Sequence, residues 1–274
     1  MPVDLGALID DLAAETAGLQ EITDPLSDAD WRLLTPAPGW TIADQVSHLA
    51  HFDEVAVTAV VAPDSFRAEI ARTAEGGTDP DLIAERYRQL SAAELRTWFA
   101  AARSRMLSVF AGLDPALRVP WFGPPMSVAS LVTARLMETW AHGQDIADTL
   151  GIDRQPTDRL RHVAHIGVGA RAYSYAAHGL ATPADPIRVE LEAPSGELWT
   201  WGPADAPNRV RGPALDFCLL VTQRRHRDDT EVAAIGTAAA QWLTIAQSFA
   251  GPPGAGREPG QFASQAGTRR TDPA

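Results

Sequence analysis

The hydrophobic period of this chain changes once, near Pro183, and that change constrains the fold more than any other feature. Before it, apolar residues recur at three- to four-residue steps, the spacing of a helix stripe facing a core. Leu5, Leu8, Leu12, Leu19 and Ile22 predict a helix over about 4–24. Asp24-Pro25 ends it, because the residue before proline is pushed out of the helical region. Thr41 with Asp44 reads as a capping box opening a helix over about 42–61. The run AEGGTDP (74–80) reads as a loop, and Asp79-Pro80 opens a helical segment over 80–90. Ser91 with Glu94 caps a helix reaching about 111. Ser127 caps one over about 128–150 that Gly151 ends, and an Ala-rich helix follows over about 157–179. Long helices with short connectors describe an up-and-down bundle of four to five helices over 1–180.

Past Pro183 the segment Ile187-Arg188-Val189-Glu190-Leu191-Glu192 alternates apolar and charged residues, the mark of a half-exposed strand. Pro194-Ser195-Gly196 is a turn, Leu198–Trp201 the paired strand, and 208–211 a third. Helices follow over about 213–224 and 231–249. Residues 183–250 are thus expected to form a small α+β cap domain, and the Gly/Pro-rich stretch 251–274 a disordered tail. The expected fold class is mainly α, with a small α+β C-terminal domain.

Composition narrows the partners. The 274 residues suit about two domains. The formal charge is −12, and every cationic side chain other than histidine is arginine. Such a field repels nucleic acid and anionic membranes. No run of 18 apolar residues is present, and the acidic N-terminal stretch lacks the basic region of a signal peptide. Cys218 sits in the apolar run Phe217–Val221 and reads as a buried, inert thiol; a single cysteine fits a reducing cytoplasm. The expectation is a cytoplasmic protein with no nucleic-acid or membrane partner.

One helix carries Glu138-Thr-Trp-Ala-His142-Gly-Gln-Asp145. Glu138 and His142, at i and i+4, lie about 40° apart and roughly 6 Å along the axis, which is metal-ligand spacing. Asp145 falls within about 20° of Glu138 and is placed to support a ligand from behind. The same spacing also occurs on solvated helix faces. The second helix carries His48 and His51, each of which also reads as a satisfied core histidine. His162 and His165 lie close to Arg161, a poor setting for a cation. A bundle allows one histidine of the second helix to meet Glu138 and His142, leaving open the fourth position that catalytic zinc keeps. The aromatic loop with Trp121 and Phe122 either lines a pocket or covers the end of the bundle.

The order Pro38-Gly39-Trp40-Thr41, Asp44, His48-Leu49, then Glu138-x-Trp140-x-His142-x-x-Asp145 resembles the DinB-like metal-binding bundle superfamily. Within it, the set is most similar to the mycothiol-dependent maleylpyruvate isomerase group, over roughly residues 1–155. The resemblance implies a divalent metal, usually zinc, held by His48, Glu138 and His142. It also implies mycothiol as cosubstrate and a smaller C-terminal α+β domain. The run from Gly212 to Thr230 resembles an actinobacterial subgroup of metal-binding proteins, and partly a segment named for wyosine-base formation on tRNA. The tRNA-binding role which that label would imply is opposed by the charge of −12. An arginine of the C-terminal domain meets the substrate carboxylate in the isomerase. Here Arg225 is the expected equivalent, with Arg224 and Arg227 as alternatives and solvated arginines as the plain reading.

The expected function is a zinc-dependent, mycothiol-using isomerase or thiol transferase acting on a small carboxylate-bearing metabolite. Its substrate is expected in a cleft between bundle and cap. The alternatives are a non-catalytic metal-binding or ligand-sensing protein, and a thiol-independent metal-assisted enzyme of secondary metabolism.

Overall fold

The computed structural model describes residues 3–73 and 79–262. It divides into two compact units, Met1–Gln155 and Pro156–Ala274. Four long helices dominate the first unit among its described residues: α1 (Leu5–Thr23), α2 (Ile42–Val61), α5 (Ala92–Phe110) and α6 (Val128–Leu150). Between α2 and α5 lie the shorter α3 (Pro63–Thr73) and α4 (Pro80–Glu85), and a small antiparallel pair, β1 (Arg118–Val119) and β2 (Met126–Ser127), precedes α6. The helices start where side chains can satisfy the first free N–H groups. Asp4 caps α1, and the Thr41/Asp44 and Ser91/Glu94 boxes are complete in both directions. Gly151 ends α6 at φ 65°, a conformation glycine adopts without strain. Leu19, Trp31, Ile42, Val46, Leu49, Leu95, Phe99 and Ile146 share one core, drawn from all four long helices.

The second unit starts with α7 (Leu160–Gly169) and α8 (Arg171–Ala177), then β3 (Ile187–Glu192), β4 (Leu198–Trp201) and β5 (Asn208–Pro213). It continues through α9 (Ala214–Val221), β6 (Ala233–Ile235) and α10 (Thr237–Ile245). The sheet order is β4-β3-β5-β6; β3 pairs antiparallel with β4 and parallel with β5. The period-two reading of 187–192 holds, with Ile187, Val189 and Leu191 buried. On the outer face Arg188, Arg209 and Arg211 all reach the carboxylate of Glu190. Helix α7 comes close to α9 at Gly167, where a Cβ would lie 2.7 Å from Val221 Cγ2.

Several boundaries differ from expectation. The units divide at Gln155, ahead of the expected 180/183 boundary, because α7 packs on α9 and α8 on α10. The change of period marks where strands begin, whereas the compact unit begins with helices that pack on α9 and α10. The expected helix over 157–179 is two helices, broken at Ala170, and the segment over 80–90 is helical only to Glu85. The expected helix over 231–249 divides at Gly236 (φ 88°) into β6 and α10, and Asn208 Oδ1 takes up the Ala238 N–H at the start of α10. Within the expected tail, residues 251–262 make definite contacts: Tyr173 Oη bonds Gly251, and Gly260 N–H donates to Asp229. Residues 263–274, like 74–78 of the expected loop, lie outside the described residues.

Candidate metal centre

The Thr41/Asp44 box fixes the first turn of α2, and Arg88 Nε donates to Asp44 Oδ1 at 3.1 Å, tying that turn to the segment after α4. One turn further, His48 faces α6. Its Nε2 lies 3.4 Å from Glu138 Oε2, and His142 Nε2 lies 3.0 Å from the same oxygen. One ligand atom from each of His48, Glu138 and His142 falls within 4.8 Å of the others, the cluster expected for metal ligands. Bonds of about 2.0–2.2 Å to one ion suit that spacing.

A further residue presets this site. His142 Nδ1 bonds Gln45 Oε1, while Gln45 Nε2 donates to Thr35 Oγ1 at 2.8 Å and Thr35 donates to the Trp40 carbonyl at 2.9 Å. The amide of Gln45 thus presents its oxygen to His142, so Nδ1 carries a proton and Nε2 is the nitrogen that faces Glu138 and is left to ligate. Gln45, fully buried, holds the place expected of Asp145; Asp145 is itself fully buried in α6. His48 has no such support: its Nδ1 is buried without a hydrogen-bond partner among the described residues. Burial, with the neighbouring His142, lowers the His48 pKa to about 4, so the ring is neutral at pH 7, the form that ligates. Burial alone would raise the Glu138 pKa; hydrogen bonds from His142 and His48 outweigh it and hold the carboxyl well below its ordinary range.

Aromatic rings wall the centre. Trp40 stacks on His142 with centroids 5.9 Å apart and lies 5.4 Å from His48; its Nε1 donates to Asp81 at 2.6 Å. Phe52 lies 4.6 Å from His48 and touches Phe122, which meets Phe66 and Trp121. The aromatic loop therefore continues the wall of the site through Phe52.

Beneath His48, Glu138 and His142, Asp53 joins two arginines. Arg103 Nε donates to it at 2.7 Å and Arg135 Nε at 3.0 Å, all three side chains being buried. Arg135 also donates to the Leu49 carbonyl, and Arg103 to Thr139 and Thr16. Leu49 follows His48 and Thr139 follows Glu138, so this network fixes α2 against α6 beside the ligands. The positions 53, 103 and 135 carry no local signal; only the fold brings them together.

The remaining candidates have other partners. His51 Nδ1 pairs with Tyr87 Oη at 3.0 Å. His162 and His165 lie in α7 of the second unit. Arg225, also in the second unit, places its guanidinium 4.3 Å from the Phe262 ring centroid and donates to the Arg224 carbonyl. Cys218 is buried, with its pKa raised by desolvation, as an inert thiol would be.

A helical bundle presenting His, Glu and His from two facing helices defines the class: a DinB-like bundle with a candidate metal site. The family model described as the mycothiol maleylpyruvate isomerase N-terminal domain matches residues 12–147, and one described as wyosine base formation matches residues 183–234. Two uncharacterised proteins from strains of Mycobacterium tuberculosis are each 48% identical over 256 residues, covering 93% of this chain and 99% of the relative. Two crystal structures of mycothiol-dependent maleylpyruvate isomerase, one a histidine-to-alanine mutant, superpose with a TM-score of 0.55 at 14% identity, over 85% of this chain and 93% of theirs. Through residues 12–147 the chain belongs to the family of the mycothiol maleylpyruvate isomerase N-terminal domain, a DinB-like bundle, and the two crystal structures share its fold.

Proposed function

We propose that this chain is a mycothiol-using enzyme, an isomerase or thiol transferase, acting on a small carboxylate-bearing electrophile with zinc held by His48, Glu138 and His142. One observation carries the reading: three ligand atoms from α2 and α6 converge within 4.8 Å, with His142 preset by Gln45. Bound zinc would lower the pKa of a coordinating thiol and make it nucleophilic at neutral pH. The chain supplies an ionised Glu138, a neutral His48, and the Trp40 and Phe52 rings that limit water around them. Arg225 is proposed to bind the substrate carboxylate, since a planar guanidinium suits bidentate contact.

The proposed setting is the cytoplasm, with small molecules and a thiol as partners and neither nucleic acid nor membrane. The charge of −12 supports this, and no helix among the described residues is long and apolar enough to cross a membrane.

The test is metal analysis of the purified protein with and without mycothiol, followed by a thiol-conjugate screen. One zinc per chain is expected, lost in His48→Ala while the helical circular dichroism persists. Zinc-loaded protein that shows no affinity for mycothiol would sink the thiol half of the proposal. On a turned-over acid, Arg225→Ala should lower kcat/KM about 30- to 150-fold, from about 2–3 kcal/mol for a charged hydrogen bond. An unchanged kcat/KM removes Arg225 from the site.

A further inference from the structure

Around the bundle, α1 packs on α6, α6 on α2 and α2 on α5. The seam between α5 and α1 stays open as a groove of about 300 Å³, at the small end of ligand sites. Its floor is Arg103 and Thr16, both buried, and its walls include Gln20, Ser104, Leu107 and Ser108. The guanidinium turns Nε and Nη2 inward, to Asp53 and Thr139, and gives Nη1 to Thr16, which itself lines the groove. Each terminal nitrogen carries two N–H groups, so Nη1 retains a donor at the groove beyond the one that Thr16 accepts.

Charge points the same way. Arg103 and Arg135 share the single carboxylate of Asp53, so the buried trio sums to +1. A buried surplus charge is costly until a counter-charge approaches it. We propose that the α1–α5 groove binds a small oxyanion, a carboxylate or phosphate, on Arg103 Nη1, with the Ser104 hydroxyl and the Gln20 amide as further partners. The volume suits a small molecule, and Arg103 is the charged group of a lining that mixes polar and apolar side chains. This site is independent of the metal centre and of the activity proposed there.

The experiment titrates inorganic phosphate and, separately, succinate into the full-length protein, followed by calorimetry and by amide chemical shifts. Saturable binding of either probe is expected, with shifts concentrated on α1 and α5. Ser104→Glu places a carboxylate in the groove from an exposed position; it should weaken binding at least about tenfold, equivalent to about 1.4 kcal/mol, with no fall in melting temperature. The same titration on His48→Ala separates the groove from the metal centre, and binding there should persist. Three results each overturn the proposal: no saturation by either probe, affinity unchanged in Ser104→Glu, or binding abolished by His48→Ala.

Discussion

Gln45 shows how one uncharged side chain can decide what a histidine does. By accepting the Nδ1 proton of His142 it fixes which nitrogen faces Glu138. Gln45→Leu should keep the fold and weaken metal binding about 10- to 100-fold, the usual effect of losing a ligand's outer hydrogen bond. Competition with a chromophoric chelator measures this, and undiminished affinity would refute the role. His51 gives a pH signature. Burial lowers its pKa to about 4, against about 6.5 in an unfolded chain. Between those values the unfolded state binds more protons, so stability is complete above about 6.5 and falls as pH drops toward 4. Urea midpoints at pH 7.5 and 5 should differ more in the wild type than in His51→Phe; equal differences would assign the acid loss elsewhere. Glu138 and His142 were legible because four residues of helix place them on one face. His48 needed the family pattern, because His51 on the same helix has the same residue type. Gln45 had a weak signal, standing three residues before His48 on the same helix, but nothing in the sequence says which partner across the bundle its amide meets.

Helices that announce their own ends were legible, and elements defined by distant partners were not. The boxes at Thr41/Asp44 and Ser91/Glu94 and the glycine at 151 place α2, α5 and the end of α6 close to expectation. By contrast, β6 exists through its pairing with β5, and α10 starts where Asn208, 30 residues earlier, supplies an acceptor. The Asp53–Arg103–Arg135 network is the strongest such link, binding α2, α5 and α6. Asp53→Ala leaves two buried guanidiniums without their carboxylate and should cost about 3–5 kcal/mol. Replacing all three residues with well-packed apolar ones should cost far less. Chemical denaturation of both variants checks this; a mild single substitution would mean that water reaches the arginines.

At the level of the whole molecule, every side chain described at the candidate metal centre falls within Met1–Gln155, the first compact unit. Residues 1–155 expressed alone should therefore fold and take up metal with the stoichiometry of the full chain, measured by atomic emission on the purified fragment. A fragment that folds without binding metal would show that the second unit is needed to form the centre. The architecture was legible in outline, helices before Pro183 and strands after it, while the unit boundary was not, because helix periodicity does not say which layer a helix covers. The buried trio has a consequence for descent as well. A lineage that loses one of Asp53, Arg103 or Arg135 would pass through a poorly folded intermediate before the other two could be replaced, so these three codons are expected to be inherited as a block while the surface around them drifts.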